Sequence, residues 1–146
     1  MVLGIYYRTR VRAGAKGEGR SYGSMNECIM ALDNKAVDYH AKVKVKVGQE
    51  YVETTPGRVL LNEEMPKEIG FVNEPLGDKE LRSLIARVYN EQGPYVTVEM
   101  LDAIKHMGFR YATLFGATIG MDDILVPEQK PKMIETANND VENIQN

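Results

Sequence analysis

The most regular hydrophobic pattern in the chain has a period of two. From Asp38 to Val47, Tyr39, Ala41, Val43, Val45 and Val47 point one way, while His40, Lys42, Lys44 and Lys46 point the other. That alternation predicts a strand with one covered face. Pro56-Gly57 fits the central pair of a type II turn, with Gly supplying positive φ. It predicts a second strand over Arg58 to Leu61, paired near Val43 to Val47. Elsewhere the period is helical. Ser24-Met25-Asn26-Glu27 fits a capping box, Met25, Cys28, Ile29 and Leu32 follow on one face, and Asn34 supplies a stop. Leu81, Leu84, Ile85 and Val88 mark an amphipathic helix ended by Gly93. Thr97 is positioned to cap the next helix, with Leu101 and Ile104 inward and Gly108 after its last turn. The short connection at Gly93-Pro94 predicts an αα-hairpin. The expected core joins Tyr39, Val43, Val45, Leu84, Ile85, Val88, Leu101 and Ile104 in one α+β unit.

Three stretches are less regular. Val2 to Thr9 is short and apolar-rich, and its pattern suits either a strand or the end of a buried helix. Ala13 to Gly23 carries Gly14, Gly17, Gly19 and Gly23 with Lys16 and Arg20 between them. Glycine amides can cradle a phosphate. Walker spacing is missing, however, and no strand-to-helix step follows, so a flexible surface loop is expected. Pro66 to Pro75 is irregular. Near the end, Ile134, Ala137, Val141 and Ile144 form a narrow apolar seam on an otherwise polar helix. A seam of that width suits a partner helix.

Composition sharpens the class. A chain of 146 residues with 43% apolar content suits one globular domain with a modest core. The sequence shows no apolar run long enough to cross a bilayer and no secretory leader pattern, so a soluble cytoplasmic protein with no membrane partner is expected. A single cysteine, Cys28, excludes an internal disulfide, and its helical setting predicts a buried, inert thiol. The net charge of -3 argues against a free-standing nucleic-acid binder.

Candidate chemistry is sparse. Asp122-Asp123 could hold magnesium or share acid and base roles, which would make the chain a small metal-dependent hydrolase. Adjacent strand residues face opposite ways, however, and no third ligand lies at usable spacing. Lys42, Lys44 and Lys46 could form an RNA-binding module, although such a row more often serves as a solvated strand face. His40 has no Cys or His partner at ligand spacing. No catalytic, cofactor-binding or metal-ligating residue is assigned.

One stretch carries far more information. Gly108 to Lys130 reads GFRYATLFGATIGMDDILVPEQK. It resembles a segment of the largest, beta-prime subunit of bacterial RNA polymerase, where members read close to G-F-x-Y-A-x-x-x-G-x-x-x-G-[IM]-D-D-[MI]-x-[VI]-P-x-x-K. Leu3 to Arg10 (LGIYYRTR), Ala15-Lys16-Gly17-Glu18-Gly19, Val37 to Val45, Thr54 to Leu60 and Phe71-Val72-Asn73 resemble further family segments in the family's order. Two positions depart from the pattern: Phe115 stands where a small or polar residue is frequent, and Pro56 where Val is frequent.

The resemblance implies an internal piece of the subunit. In the family the magnesium-binding Asn-Ala-Asp-Phe-Asp-Gly-Asp signature lies a few dozen residues before the segment that Leu3 to Arg10 resembles, so Met1 and Asn146 are expected to be boundaries of an excised segment. Residues 1–126 would correspond to the pore, or secondary-channel, region, and 127–146 to the start of the funnel or rim helix. The fold implied is a small mixed sheet with packed helices, ending in a protruding, truncated helix whose return arm lies beyond Asn146. Val2 to Thr9 becomes the end of a helix, and Asp122 and Asp123 become structural or rim residues. The whole enzyme would carry out template-directed RNA synthesis with magnesium held elsewhere, and this piece would have no cofactor and no activity alone. Its partners would be the beta, alpha, omega and sigma subunits, DNA and RNA, and factors that enter the secondary channel.

Overall fold

The structure, a computed structural model, describes residues 1–116, 118, 120 and 127–145, with side chains as far as residue 141. Two compact units divide the chain, Met1–Gly116 and Ala117–Asn146. The first unit is α+β. In order it contains α1 (Val2–Thr9), β1 (Ser21–Tyr22), α2 (Met25–Asp33), β2 (Val43–Val47), β3 (Glu50–Thr54), α3 (Pro56–Glu64), a 3-10 turn (Lys67–Ile69) and α4 (Asp78–Phe115). The second contains α5 (Lys130–Gln145).

The sheet is small and mixed. β2 is central, parallel to β1 (Ser21↔Lys44) and antiparallel to β3 (Val43↔Thr54 through Val47↔Glu50). The alternation expected over Asp38 to Val47 holds only from Ala41. Val43 and Val45 are buried, and Lys42, Lys44 and Lys46 are exposed. Before that the chain turns, and the phase reverses: Tyr39 is exposed and His40 is buried. Asp38 causes the turn, because its carboxylate accepts the His40 N–H at 2.9 Å and its carbonyl accepts the Ala41 N–H.

The second strand is not where Pro56-Gly57 placed it. The β2–β3 hairpin closes through Gly48 and Gln49, with Gly48 at φ 64, the positive φ that a two-residue hairpin turn needs. Pro56 instead opens α3, in the first helical turn, where its missing N–H costs nothing. The Thr55 hydroxyl caps that helix by accepting the Arg58 N–H at 3.3 Å. Gly57 is required for a different reason: a Cβ there would collide with the Arg8 carbonyl oxygen.

α2 begins as expected. The Ser24 hydroxyl accepts the Glu27 N–H at 3.1 Å, but Glu27 reaches back to the Gly23 N–H rather than to Ser24, closing the box one residue early. α4 breaks at Gly93 (φ 82, ψ -179), and Pro94 starts its second arm. Thr97 does not cap that arm. Its hydroxyl donates to the Gly93 carbonyl at 2.8 Å, inside the first turn. Gly108 does not end it either. The arm continues to Phe115 and stops at Gly116, in the left-handed conformation with φ 61. Gly108 lies where α1 crosses α4: a Cβ on Gly4 would collide with the Gly108 carbonyl, and one on Gly108 would meet Met1.

Two cores form where the sequence predicted one. Ile5, Leu61, Met65, Leu76, Leu84, Val88, Met100, Ile104 and Met107 pack between α1, α3 and both arms of α4. Cys28, Leu32, Ala41, Val43, Val45 and Val59 pack between the sheet, α2 and α3. α3 serves both, with Leu61 in one and Val59 in the other. Of the expected core, Leu84, Val88 and Ile104 join the first cluster with Ile85 half-buried beside it, and Val43 and Val45 join the second. Leu101, 37% exposed, and Tyr39 belong to neither. Met100, one residue away and fully buried, takes the position expected of Leu101, because the arm is rotated to set Met100, Ile104, Met107 and Tyr111 inward.

Candidate functional site

The residues singled out by sequence are scattered and largely occupied. Lys42 is tied to Glu53 at 2.6 Å. That hydrogen bond and the attraction between the charges raise the Lys42 pKa and lower that of Glu53. Glu53 also stands opposite Lys44 in the ladder, so a carboxylate interrupts the lysine face. The glycine loop is no phosphate cradle. Several of its amides are already bound: Gly14 to the Glu18 carboxylate, Glu18 to the Ala15 carbonyl, Gly19 to that of Lys42, and Arg20 to that of Gly17. Nor is the loop free over its whole length, since Lys44 N–H to Arg20 oxygen and Asp38 N–H to Lys16 oxygen fasten it to the sheet region.

Cys28 is fully buried, and burial, assisted by nearby Glu27, pushes its thiol pKa up to about 11. It is a core residue without nucleophilic character at neutral pH. Asp122 and Asp123 lie outside the described residues. Among the described residues, no three His, Cys, Asp or Glu side chains converge to hold a metal ion. Glu53, Glu64, Asp78 and Asp102 instead pair with Lys42, Arg8, Arg82 and Lys105. These residues do not fit magnesium.

Arginines at the end of α1 organise the interior. Arg8 is completely buried. Its Nε donates to the Gly57 carbonyl at 3.2 Å, its Nη2 pairs with Glu64 at 3.1 Å, and its guanidinium lies 4.2 Å from the Tyr111 ring centre. Burial lowers the Arg8 pKa, against the opposing pull of Tyr111 and Glu64. Arg58 enters from α3, donating from Nε to the Thr9 carbonyl at 2.9 Å and from Nη1 to the Asn73 carbonyl at 3.0 Å. Thr9 completes the junction, because its hydroxyl donates to the Ile5 carbonyl and accepts the Leu76 N–H, both at 2.9 Å.

Beside this junction lies a cleft of about 420 Å³ lined by Tyr7, Arg10, Arg12, His40 and Phe115. Tyr7 and Phe115 stack with centroids 4.3 Å apart, and the edge of His40 meets Tyr7 at 4.6 Å. His40 Nε2 donates to the Tyr7 carbonyl at 2.7 Å, while Nδ1 lies 3.2 Å from Asp38. Phe115, one of the two residues that depart from the family pattern, is thus a wall of this cleft. The alternating arginines of Arg8-Thr9-Arg10-Val11-Arg12 were the available sequence signal for it. Inside a helical reading they did not register as one face.

Comparison with known proteins agrees with this architecture's sequence signals. Residues 1–124 match the family model for RNA polymerase Rpb1, domain 3. Across 146 residues, all of this chain and 11% of the relative, the sequence is 49% identical to DNA-directed RNA polymerase subunit beta' of Borrelia recurrentis (strain A1). The same subunit of Borreliella burgdorferi (strain ZS7) is 48% identical over all of this chain and 11% of the relative. That of Treponema pallidum (strain Nichols) is 48% identical over 97% of this chain and 10% of the relative. The chain therefore spans about a tenth of the length of the relatives it matches. By both the family model and these end-to-end matches, the chain belongs to the family of the largest, beta-prime-type subunit of DNA-directed RNA polymerase.

Proposed function

We propose that this chain serves as a wall segment of the secondary channel in a complete RNA polymerase, with residues 1–126 in the pore region and 127–146 opening the rim helix. The supporting observation is the near-50% identity maintained over the whole chain to subunits named for DNA-directed RNA polymerase. The buried residues of Met1–Gly116 are packing and anchoring groups, which suits a scaffold role. The enzyme would carry out template-directed nucleotidyl transfer in the cytoplasm, with beta, alpha, omega and sigma subunits, template DNA and product RNA as partners. Factors inserting into the channel would dock on the rim. Magnesium would be held by aspartates in another part of the subunit, and this segment would shape the passage through which ribonucleoside triphosphates enter and a backtracked 3′ end leaves. The lysine-strand alternative is weakened by Glu53, which neutralises Lys42 and faces Lys44.

Crosslinking in the complete enzyme tests this reading. Backtracked complexes carrying a photoreactive nucleotide at the RNA 3′ end should label this segment in at least one register. Absence of label at every register from one to ten nucleotides of backtracking, with strong label elsewhere in the subunit, would overturn the channel assignment.

A further inference from the structure

We infer that the cleft between α1, His40 and the end of α4 is a nucleoside-phosphate site, with Arg10 and Arg12 gripping the phosphate and Phe115 offering a face to the base. The assignment rests on the cleft's own geometry and stands independently of the channel reading.

Its first support is two uncommitted guanidiniums on one side of the chain. Arg10 has extended backbone (φ -68, ψ 147), and residues two apart in extended chain share a face. Both arginines accordingly line the same cleft. Their backbones are pinned, the Arg10 N–H to the Tyr6 carbonyl and the Arg12 N–H to the His40 carbonyl, each at 3.0 Å. Neither guanidinium has an ion pair or side-chain hydrogen bond among the described residues.

Cations at a helix C-terminus ordinarily serve the last carbonyls. Here that duty is already discharged by others. The Tyr6 carbonyl takes the Arg10 N–H, the Tyr7 carbonyl takes His40 Nε2, and the Thr9 carbonyl takes Arg58 Nε. Among the described residues the Arg10 and Arg12 side chains, with five N–H donors each, have no hydrogen-bond partner.

The remaining walls point to the ligand class. Among the described residues no carboxylate lines the cleft, although the chain as a whole carries a net charge of -3. Asp38, beside the lining residue His40, is committed to the His40 N–H at 2.9 Å and to the His40 ring. Paired guanidiniums match the oxygens of a phosphate in bidentate geometry. Phe115, stacked on Tyr7 yet 41% exposed, keeps ring surface available for a planar base. A volume of about 420 Å³ is that of a small-molecule site.

Titration calorimetry on the 146-residue chain with adenosine 5′-monophosphate, inorganic phosphate and adenosine tests the assignment. The monophosphate is expected to bind with a dissociation constant on the order of 0.1–1 mM, more tightly than phosphate, with adenosine weaker than both. Arg10→Gln and Arg12→Gln should each weaken monophosphate binding by about tenfold or more. Phe115→Ala should weaken the monophosphate and leave inorganic phosphate unchanged. Lys44→Ala, on the strand face, should change neither. All four positions are solvent-exposed, and thermal melts of each variant confirm that it is folded. No binding up to 10 mM would overturn the assignment. So would binding that survives both arginine substitutions, or that falls equally in Lys44→Ala. Phosphate binding as tightly as the monophosphate would remove the base from the proposal.

Discussion

Arg8 is a cation with no surface exposure whose carboxylate partner, Glu64, keeps 38% of its side chain in solvent. The Coulomb attraction is therefore partly screened, and much of what holds the guanidinium is the Gly57 carbonyl and the Tyr111 ring. Glu64→Gln should lower stability by about 1–2 kcal/mol, less than removal of a fully buried partner would. Urea melts of the variant decide this, and a loss above about 4 kcal/mol would mean that the ion pair dominates. Cys28 supplies a second residue-scale prediction. Its thiol pKa is raised on folding, so the folded state favours the neutral thiol more than the unfolded chain does. That contribution is complete below the ordinary value of 9.0 and is lost as pH rises from there through about 11. Melts from pH 8 to 11 should show stability falling faster in the wild type than in Cys28→Ala. At pH 8 a thiol reagent should find no reactive cysteine until denaturant is added. Burial of Cys28 was legible from its helical spacing with Met25, Ile29 and Leu32. Burial of Arg8 was not, because nothing local to an arginine shows that an aromatic ring from residue 111 will cover it.

At the scale of elements, the parts that were legible are those whose amphipathic period runs long enough to outweigh single residues. β2 from Val43, α2 from Ser24 and the first arm of α4 from Leu81 to Gly93 all lie where their patterns placed them. Two residues of β1 are too few to show any period. Pro56-Gly57 misled because the pair has two physical meanings, a type II turn or the first turn of a helix after a Thr cap. What selects the helix is a long-range contact: the Arg8 backbone lies against Gly57. Gly108 carried the same ambiguity, stop signal or crossing point, and again a distant strand of backbone decides it. Gly4→Ala therefore should cost at least about 2 kcal/mol, since the added methyl meets the Gly108 carbonyl oxygen and not a flexible side chain. If chemical denaturation shows a cost below about 0.5 kcal/mol, α1 and α4 do not cross as closely as the structure has them.

For the whole molecule, the expected single core became two because α3 takes the place of a strand and inserts between sheet and helices. Sequence periodicity places apolar faces but does not say how many separate interiors they will line. Neither a local pattern nor the family resemblance marked the arginine cleft. In the second unit, α5 exposes Met133, Ile134 and Val141, half or more of each, and a cavity of about 510 Å³ beside Ile134 and Ala137 marks the apolar seam. Ile144, the fourth seam position, lies beyond the described side chains. A helix of 16 residues supported by so little burial is marginal in water. Amide hydrogen exchange in dilute solution should be fast from Met133 to Val141, and strong protection in a monomeric chain would overturn that expectation.

The crossing of α1 over Gly108 also has a consequence in time. A ribosome emits α1 ahead of the other elements of this segment, but the groove that receives it is built from residues around Gly108 and Ala112, which emerge about a hundred residues later. The Gly57 side of its seat appears about halfway through that interval. During synthesis, then, α1 carries Ile5 and the Arg8 guanidinium before the groove around Gly108 exists to enclose them. Closing so long a loop makes its docking a late event, slowed by the sequence separation it must bridge. The sheet, α2 and α3, whose partners are near neighbours in the chain, can assemble while α1 is still waiting. Within this segment, the first helix to be made is the last to find its place.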